Sequence, residues 1–131
     1  MTVKVGIVGV TGYAGGELIR LLLNHPEAEI VAASSRSNVG NPVSAVHKQF
    51  YGYMDLIECE IKAENYAACD VVFLALPHGA SSGLAKELAA MGKKVIDLGA
   101  DFRLRDYDTY MEWYGAEHQW PELLPGVVYG L

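Results

Sequence analysis

The segment Gly6–Leu23 reads GIVGVTGYAGGELIRLLL, in which an apolar run meets four glycines and then a helical pattern. The apolar run starts earlier, and Val3–Val8 is β-branched and nearly uncharged, which predicts a strand buried on both faces. Glu17–Asn24 has the apolar spacing of a helix, which Pro26 ends. Ile30–Ser34 predicts a second short strand. Strand, glycine turn, helix and strand within about thirty residues make a βαβ unit, which implies parallel strands.

The remainder of the chain continues this alternation of strands and helices. We predict strands at Asp70–Leu76 and Lys94–Leu98 and, between them, a helix at Ala80–Met91. Leu56–Ile61 alternates polar and apolar residues and predicts an edge strand, and the closing PGVVYGL predicts a last short strand. The order of elements predicts an α/β fold of the Rossmann type, which is a doubly wound, mostly parallel sheet with helices on both faces.

Length and composition predict one domain that spans residues 1–131. The 131 residues are 51% hydrophobic, as is typical of a chain with a packed core, and the net charge of −6 disfavours nucleic-acid binding. No apolar run approaches the roughly 20 residues of a membrane span, and the first ten residues lack the features of a signal peptide. Cys59 and Cys69 have no metal-ligand spacing. We therefore expect a cytoplasmic protein with free thiols, no metal site, and no nucleic-acid or membrane partner.

The glycines of the first turn predict a phosphate site. The amino ends of helices expose unpaired N–H groups and carry partial positive charge, and glycine lets a phosphate approach them closely. The spacing is Gly9-x-x-Gly12-x-x-Gly15, with Thr11 where the usual G-x-G-x-x-G pattern has its middle glycine. No Gly-Lys-Ser/Thr follows, so this is not a Walker A loop. The position between a strand and a helix favours dinucleotide binding over the alternative, a tight turn without a ligand.

The end of the second strand predicts which dinucleotide binds. NAD-binding folds of this type place an Asp or Glu there, which holds the ribose 2′-hydroxyl. This chain reads Ser34-Ser35-Arg36-Ser37 instead, and an arginine between hydroxyl groups suits a 2′-phosphate. The pattern therefore favours NADP(H) over NAD. The alternative is a surface arginine on a polar loop.

Two further segments follow predicted strands at the same edge of the sheet. Pro77 and His78 come after the central strand, where the backbone would face the nicotinamide half of a cofactor and His78 would hydrogen-bond it. The alternative for His78 is a loop histidine with no role. Asp101 and Arg103 come after the next strand. We expect these two side chains to pair with each other, and contact between Arg103 and an anionic substrate is the alternative.

The other candidate residues have no predicted chemistry. Cys59 lies between two acidic residues, which disfavour a thiolate, and Cys69 lies at the amino end of the central strand, away from the ligand edge. His47 and His118 lie in polar surroundings and are expected at the surface. Tyr107–Trp120 is rich in aromatic residues interleaved with acids, which favours packing against another domain or subunit over base stacking.

Four motifs together resemble one enzyme family. They are VGIVGVTGYAGGELIRLLLNHPEAEIVAASSRS, FLALPHGAS, VIDLGADFRL and PELLPGVVYGL, and in this order they cover essentially the whole chain. The combination resembles the N-acetyl-γ-glutamyl-phosphate reductases of arginine biosynthesis, and the aspartate-semialdehyde dehydrogenases look like more distant relatives. The resemblance implies NADPH-dependent reduction of N-acetyl-γ-glutamyl phosphate to N-acetylglutamate semialdehyde. In that reaction a cysteine thiolate displaces phosphate and hydride from NADPH reduces the thioester, with a histidine as general acid and base.

The resemblance also assigns roles to residues. Carried over position by position, the cofactor-binding role falls on Gly9, Thr11, Gly12, Tyr13, Ala14, Gly15, Ser35, Arg36, Ser37, Pro77 and His78. It implies no catalytic residue in this chain, because the family's Asn-Pro-Gly-Cys-Tyr motif does not occur here and its catalytic histidine belongs to the substrate domain. We therefore expect the N-terminal NADP-binding domain of the reductase, inactive by itself. The full-length protein would be a homo-oligomer that binds its acyl-phosphate substrate through the other domain.

Two alternatives stay open. A related semialdehyde dehydrogenase that acts on another acyl phosphate, such as aspartyl phosphate or a lysine-pathway analogue, would have the same cofactor domain. A stand-alone nucleotide-sensing Rossmann module would use the same glycine turn without any chemistry.

Overall fold

The computed structural model describes residues 1–115, 117–118 and 120–130. The strands in these residues are β1 (Val3–Val8), β2 (Ala28–Ser34), β3 (Val71–Leu74) and β4 (Lys94–Asp97). The α-helices are α1 (Tyr13–Leu23), α2 (Ser82–Ala90) and α3 (Tyr107–Tyr114). Short 3₁₀ helices occupy Val43–Ala45, Lys48–Phe50, Ala63–Tyr66 and Pro121–Gly126.

The four strands form one parallel sheet in the order β2-β1-β3-β4. Helix α1 connects β1 to β2, and α2 connects β3 to β4. The chain therefore moves outward from the centre of the sheet in both directions, which confirms the predicted doubly wound fold. The strand order reverses between β1 and β3, and in open α/β sheets ligands bind beyond the carboxyl ends of the strands at that point.

Alternate residues of β1 supply the two cores, one on each face of the sheet. Val5 and Ile7 pack in the same cluster as Ile19 of α1, whereas Val8 packs in the cluster that contains Leu88 of α2. These five side chains are at most 3% exposed. Full burial of such a side chain contributes roughly 1.5–3 kcal/mol, so both helices are held to the sheet by their apolar faces. Helices cover both faces, as predicted.

Helix α1 begins earlier than its apolar spacing indicates. The apolar spacing predicted a helix from Glu17, but the first helical residue is Tyr13 and the N-cap is Gly12. Gly15 and Gly16 lie buried inside the helix. Glycine weakens an isolated helix by about 1 kcal/mol, and for this reason the predicted helix did not include Gly15 and Gly16. Close packing of the helix against neighbouring residues overrides that preference.

The edge strand predicted at Leu56–Ile61 is wrong. The segment makes two isolated bridges, a parallel one between Cys59 and Ser34 and an antiparallel one between Ile57 and Pro42. Because the two partners run in opposite directions relative to the segment, no continuous ladder forms. The segment nevertheless extends the edge of β2 and holds the loop that follows it.

The C-terminal segment also differs from the prediction. Within the described residues, Val127–Gly130 joins no strand of the sheet, and the predicted strand in PGVVYGL is therefore wrong there; Leu131 lies outside the described residues. The segment Asp101–Trp120, whose charged and aromatic composition predicts irregular or short-helical structure, contains α3, whereas residues 116 and 119 lie outside the described part. The carboxylate of Asp106 starts α3 by accepting a hydrogen bond from the backbone N–H of Thr109 (2.9 Å).

Candidate functional site

Two glycines of the turn after β1 are required by the fold itself. Gly9 has a φ of +80°, a left-handed conformation, and a Cβ there would lie 2.4 Å from the carbonyl oxygen of Ala75. Gly15 lies in the first turn of α1, where a Cβ would lie 2.4 Å from the carbonyl oxygen of Val10. Side chains do not approach backbone atoms so closely in packed proteins. Gly9 therefore brings the turns after β1 and β3 together, and Gly15 lets α1 begin directly against the first of them.

Gly12 is different, because nothing in the described part of the chain requires glycine there. Its φ of −77° and ψ of 177° are accessible to any residue. The nearest described atom to an added Cβ, the carbonyl oxygen of Gly9, would lie 3.9 Å away in ordinary contact. Gly12 is exposed and is the N-cap of α1, where Ser, Asp or Asn would supply a capping oxygen. The glycine instead leaves open space in front of the helix.

The amino end of α1 has neither a cap nor an acidic neighbour. Among the described residues, no side chain accepts a hydrogen bond at this N-cap, and the first turn holds no acid. Thr11 is half-buried, whereas Tyr13 and Ala14 are exposed, the former at 99%. The unpaired N–H groups of the first turn, with a partial charge of about +0.5, therefore face solvent. This helix end can hold a phosphate.

The amino end of α2, by contrast, is closed by a carboxylate of the chain. Asp101 is 0% exposed and accepts hydrogen bonds from the backbone N–H groups of Gly79 (2.8 Å), Ser81 (3.2 Å) and Ser82 (3.0 Å). This is the interaction that an anionic ligand makes at a helix end, and here the protein supplies the anion. Of the helices that follow β1 and β3, only α1 is open to a ligand.

The segment Ser35–Ser37 forms an exposed turn at the end of β2. The hydroxyl of Ser35, which is buried, accepts a hydrogen bond from the backbone N–H of Asn38 (3.1 Å). Arg36 and Ser37 consequently lie at the exposed tip of a tight turn. Within the described residues, Arg36 has no ion-pair or hydrogen-bond partner. Its guanidinium donors are therefore available to a ligand.

A groove of about 440 Å³ connects this turn to the end of β3. Ser35, Arg36 and Glu60 contribute polar groups to its lining, and the apolar part includes Leu76, Ala80 and Leu84. The Glu60 carboxylate is paired with Lys62. An apolar wall with a few converging polar groups is the usual composition of a small-molecule site. The groove thus brings together the predicted arginine turn and the segment that follows the central strand.

Pro77 and His78 lie on the exposed turn after β3, and Asp101 fixes the geometry of that turn. Gly79 next to them has a φ of +85°, and its N–H is held by the Asp101 carboxylate as described above. The Nδ1 atom of His78 lies 3.5 Å from Oδ1 of Asp101. The imidazole also packs against the ring of Tyr114, with 4.6 Å between ring centroids. These contacts orient His78 while its side chain stays 36% exposed.

The predicted pair of Asp101 and Arg103 is not what the structure shows. Asp101 is used by the turn before α2, and the guanidinium of Arg103 lies 5.7 Å from the ring centroid of Tyr129. His118, predicted at the surface, is 5% exposed and its Nε2 lies within hydrogen-bond distance of the Asp101 carbonyl oxygen. The sequence gives no local signal for either contact, since the partners lie about twenty residues apart.

His47 supports the glycine turn, although polar surroundings predicted a surface role. Its Nε2 atom lies 2.7 Å from the carbonyl oxygen of Val10, and the residue is half-buried. The imidazole occupies the space above Gly16, where a Cβ would lie 2.8 Å from Cε1 of the ring. A second consecutive glycine inside a helix indicates such close packing, and it is the one sequence feature that could have pointed to His47.

The two cysteines lack the environment of a nucleophile. Cys69 is 2% exposed, and Cys59 donates its thiol hydrogen to the carbonyl oxygen of Ala33 (3.3 Å). Burial raises the pKa of both thiols. A cysteine reacts as a thiolate, so neither side chain is suited to attack an acyl group. Nor do the described residues contain a group of three or more His, Cys, Asp or Glu side chains that could hold a metal ion.

A family model for the semialdehyde dehydrogenase, NAD binding domain matches residues 4–131. The chain belongs to this family. Membership agrees with the uncapped helix after β1 and with the position of the arginine turn at the end of β2. The matched residues include the glycine turn after β1, the groove, and the turns that carry Arg36 and His78.

Curated relatives of this domain are longer proteins. The chain is 50% identical to the N-acetyl-gamma-glutamyl-phosphate reductase of Symbiobacterium thermophilum over 131 residues, which are 100% of this chain and 38% of that protein. It is 52% identical over 130 residues to the protein of the same name from Pseudomonas fluorescens, covering 98% of this chain and 38% of that one. The chain therefore spans about 38% of the length of the curated relatives it matches.

Solved structures agree on the architecture. Aspartate semialdehyde dehydrogenase with NADP from Candida albicans superposes with a TM-score of 0.70 at 27% identity, over 82% of this chain and 32% of that one. Scyllo-inositol dehydrogenase from Lactobacillus casei, at 23% identity and a TM-score of 0.57, covers 74% of this chain and 28% of that one and shows the shared fold. No helix among residues 1–115, 117–118 and 120–130 is long and apolar enough to cross a membrane.

Proposed function

We propose that residues 1–131 form an NADP-binding domain whose pyrophosphate site is the amino end of α1. Gly12 is the observation that carries the proposal, because the fold tolerates a side chain there and the sequence has none, in front of an uncapped helix. Membership of an NAD-binding family supports it. The residues that would surround the pyrophosphate are Gly9, Thr11, Gly12, Tyr13, Ala14 and Gly15.

The choice of NADP over NAD rests on the turn at the end of β2. Arg36 is exposed and has no partner among the described residues, and no acid directly follows β2 in the chain to accept the ribose 2′-hydroxyl. The acid that lines the groove, Glu60, is paired with Lys62. Arg36 would bind a 2′-phosphate with the hydroxyl groups of Ser35 and Ser37 beside it. The related aspartate semialdehyde dehydrogenase, crystallised with NADP, supports this choice.

The rest of the dinucleotide would follow the edge of the sheet. The groove of about 440 Å³ between Arg36 and Leu84 is the place for the adenosine. Pro77 and His78 lie beyond β3 on the turn that Asp101 holds, and they would meet the nicotinamide half. The bound cofactor would supply hydride, and the residues of this domain would bind and orient it.

For the whole protein we propose the activity of its relatives, which is the NADPH-dependent reduction of N-acetyl-γ-glutamyl phosphate to N-acetylglutamate semialdehyde in arginine biosynthesis. Identity of 50% over the full length of this chain supports it. Because burial raises the pKa of Cys59 and Cys69, we propose that this domain alone binds the cofactor without reducing a substrate. We further propose a cytoplasmic homo-oligomer with no nucleic-acid or membrane partner, consistent with the net charge of −6.

Cofactor titrations test the binding proposal. The 131-residue chain is titrated with NADPH and NADH by calorimetry, and NADPH should bind more tightly. Arg36→Ala should weaken NADPH by roughly tenfold or more, the effect of losing one or two hydrogen bonds to a charged group, and leave NADH nearly unchanged. Lys48→Ala, which removes an exposed cation elsewhere, serves as the matched control. Equal affinities for the two nucleotides would refute the role of Arg36.

A chimera tests the activity proposal. The chain is fused to the remaining part of the Symbiobacterium relative, and nicotinamide absorbance follows the reverse reaction with NADP, phosphate and N-acetylglutamate semialdehyde. The chimera should oxidise N-acetylglutamate semialdehyde with NADP, because this domain would present the cofactor to the relative's substrate domain, and the chain alone should show no turnover. Turnover by the chain alone, or an inactive chimera that still binds NADPH, would contradict the proposal.

A further inference from the structure

One buried residue, Asn38, fixes the turn that carries Arg36 by hydrogen bonds. Asn38 is 8% exposed, and its backbone N–H closes the turn onto the Ser35 hydroxyl at 3.1 Å. Its side-chain amide donates a hydrogen bond to the carbonyl oxygen of Pro42 at 3.1 Å and another to the carboxylate of Glu58. Asn38 therefore ties the exposed tip of the turn to a second segment of the chain.

Glu58 anchors the same loop through both its side chain and its backbone. Its carbonyl oxygen accepts a hydrogen bond from the N–H of Gly40 at 2.9 Å, and its own N–H donates to the carbonyl oxygen of Asn41 at 2.9 Å. The next residue, Cys59, bridges to the last residue of β2. The loop after β2 is thus fixed to the Glu58 segment before Asn38, through the bridge between Ser34 and Cys59, and after it, through Gly40 and Asn41.

Burial of the Glu58 carboxylate at this position is energetically unfavourable. The residue is 2% exposed, and its Oε1 atom has no hydrogen-bond partner among the described residues. Burial of a polar group without full pairing is unfavourable, and a neutral or apolar side chain would fill the space at lower cost. What the carboxylate does in the structure is to accept the hydrogen bond of the Asn38 amide and so fix the geometry of the loop after β2.

We propose that Asn38 and Glu58 are positioning residues that set the preference for NADP over NAD, by fixing the turn on which Arg36 is presented to the groove. The proposal rests on the proposed cofactor. Neither side chain lines the groove, so both act through the turn. Arg36 has no other restraint within the described residues, and its position is therefore determined by the backbone that Asn38 and Glu58 hold.

The first test compares Asn38→Ala with the parent chain in titrations of NADPH and NADH. NADPH should bind roughly tenfold more weakly, about the effect of one lost hydrogen bond to a charged group, and NADH should change less than about twofold. A double-mutant cycle then adds Asn38→Ala to Arg36→Ala. If Asn38 acts through Arg36, the second change should have almost no further effect on NADPH affinity. Equal losses for both nucleotides, or additive losses in the cycle, overturn the proposal.

The second test exchanges the two partners. Asn38→Asp brings two buried carboxylates together and should abolish the preference for NADPH. Adding Glu58→Gln restores an amide–carboxylate hydrogen bond with reversed roles, and at least part of the preference should return. Circular dichroism checks the fold of Asn38→Ala, Asn38→Asp and the double variant. If all three are unfolded, the pair serves stability alone and the proposal is overturned. If the parent chain binds neither nucleotide, or Arg36→Ala has no effect, the proposed cofactor fails; if only the Asn38 variants have no effect, this inference fails.

Discussion

Gly12→Ala separates what the fold needs from what the cofactor needs. An added Cβ would meet only the carbonyl oxygen of Gly9, at 3.9 Å, and a φ of −77° suits alanine. Alanine is a poorer N-cap than glycine by about 0.5–1 kcal/mol, but it loses less backbone entropy on folding, by about 0.4–1 kcal/mol. The two terms oppose each other, so the free energy of unfolding should stay within about 1 kcal/mol of the parent value.

The same methyl group should have a large effect on binding. It would stand in front of the first N–H groups of α1, where the pyrophosphate is proposed to lie. Loss of one hydrogen bond to a charged group weakens binding by about 1.5–3 kcal/mol, which corresponds to roughly 10- to 100-fold in the dissociation constant. We therefore expect Gly12→Ala to reduce NADPH affinity at least tenfold in a protein of nearly unchanged stability.

Urea unfolding followed by circular dichroism and NADPH titration by calorimetry measure the two quantities separately. Gly126→Ala is the matched control, because Gly126 lies far along the chain, has no positive φ, and has no described atom within 4 Å of an added Cβ. The control should change neither quantity. Parent-like NADPH affinity in Gly12→Ala would refute the placement of the pyrophosphate, and a loss of stability above about 2 kcal/mol would refute the steric reasoning.

Three further changes test the framework of the site. Gly15→Ala places a Cβ 2.4 Å from the Val10 carbonyl oxygen and should lower the free energy of unfolding by about 1–3 kcal/mol in urea titrations. Asp101→Asn turns part of a triple acceptor into a donor and should lower it by about 1–3 kcal/mol, whereas an unchanged urea midpoint would contradict its capping role. Burial raises the pKa of Tyr110 from 10.0 to about 12, so the protonated ring stabilises the fold below pH 10 and that stability is lost as the pH rises towards 12. Tyr110→Phe should therefore lose less stability between pH 10 and 12, as measured by circular dichroism.

The sheet was predictable because its strands are short apolar runs between glycines and prolines. Val3–Val8 has the predicted bounds, and the parallel arrangement follows from the helix between β1 and β2. Leu56–Ile61 misled because alternation of polar and apolar residues is also produced by a segment that contacts two neighbours in turn. Whether the segment forms a strand or two separate bridges depends on the loop between Ser34 and Pro42, which folds back onto it.

The candidate site was predictable where its residues carry local signals. The glycine turn and Arg36 are read from spacing and from their place after a strand, and the structure brings both to the same edge of the sheet. The supports of the site were not predictable. Asn38 contacts Glu58, and Asp101 contacts the turn before α2, in both cases about twenty residues away along the chain. Which side chains pair at such a separation depends on how the backbone folds, and no local pattern predicts it.

Asp101 also explains why one glycine turn, and not two, is proposed to bind an anion. Both α1 and α2 begin at the carboxyl ends of central strands, and glycines precede both, so local pattern alone would allow a phosphate at either. The buried carboxylate of Asp101 already accepts from the N–H of Ser82, the first residue of α2, and from those of Ser81 and Gly79 before it. A second anion there would meet a like charge in a poorly solvated position. At α1 the corresponding place is empty of acid, and Gly12 leaves room in front of it. The direction of the proposed cofactor, with its pyrophosphate on α1 and its nicotinamide towards His78, follows from this difference between the two helix ends.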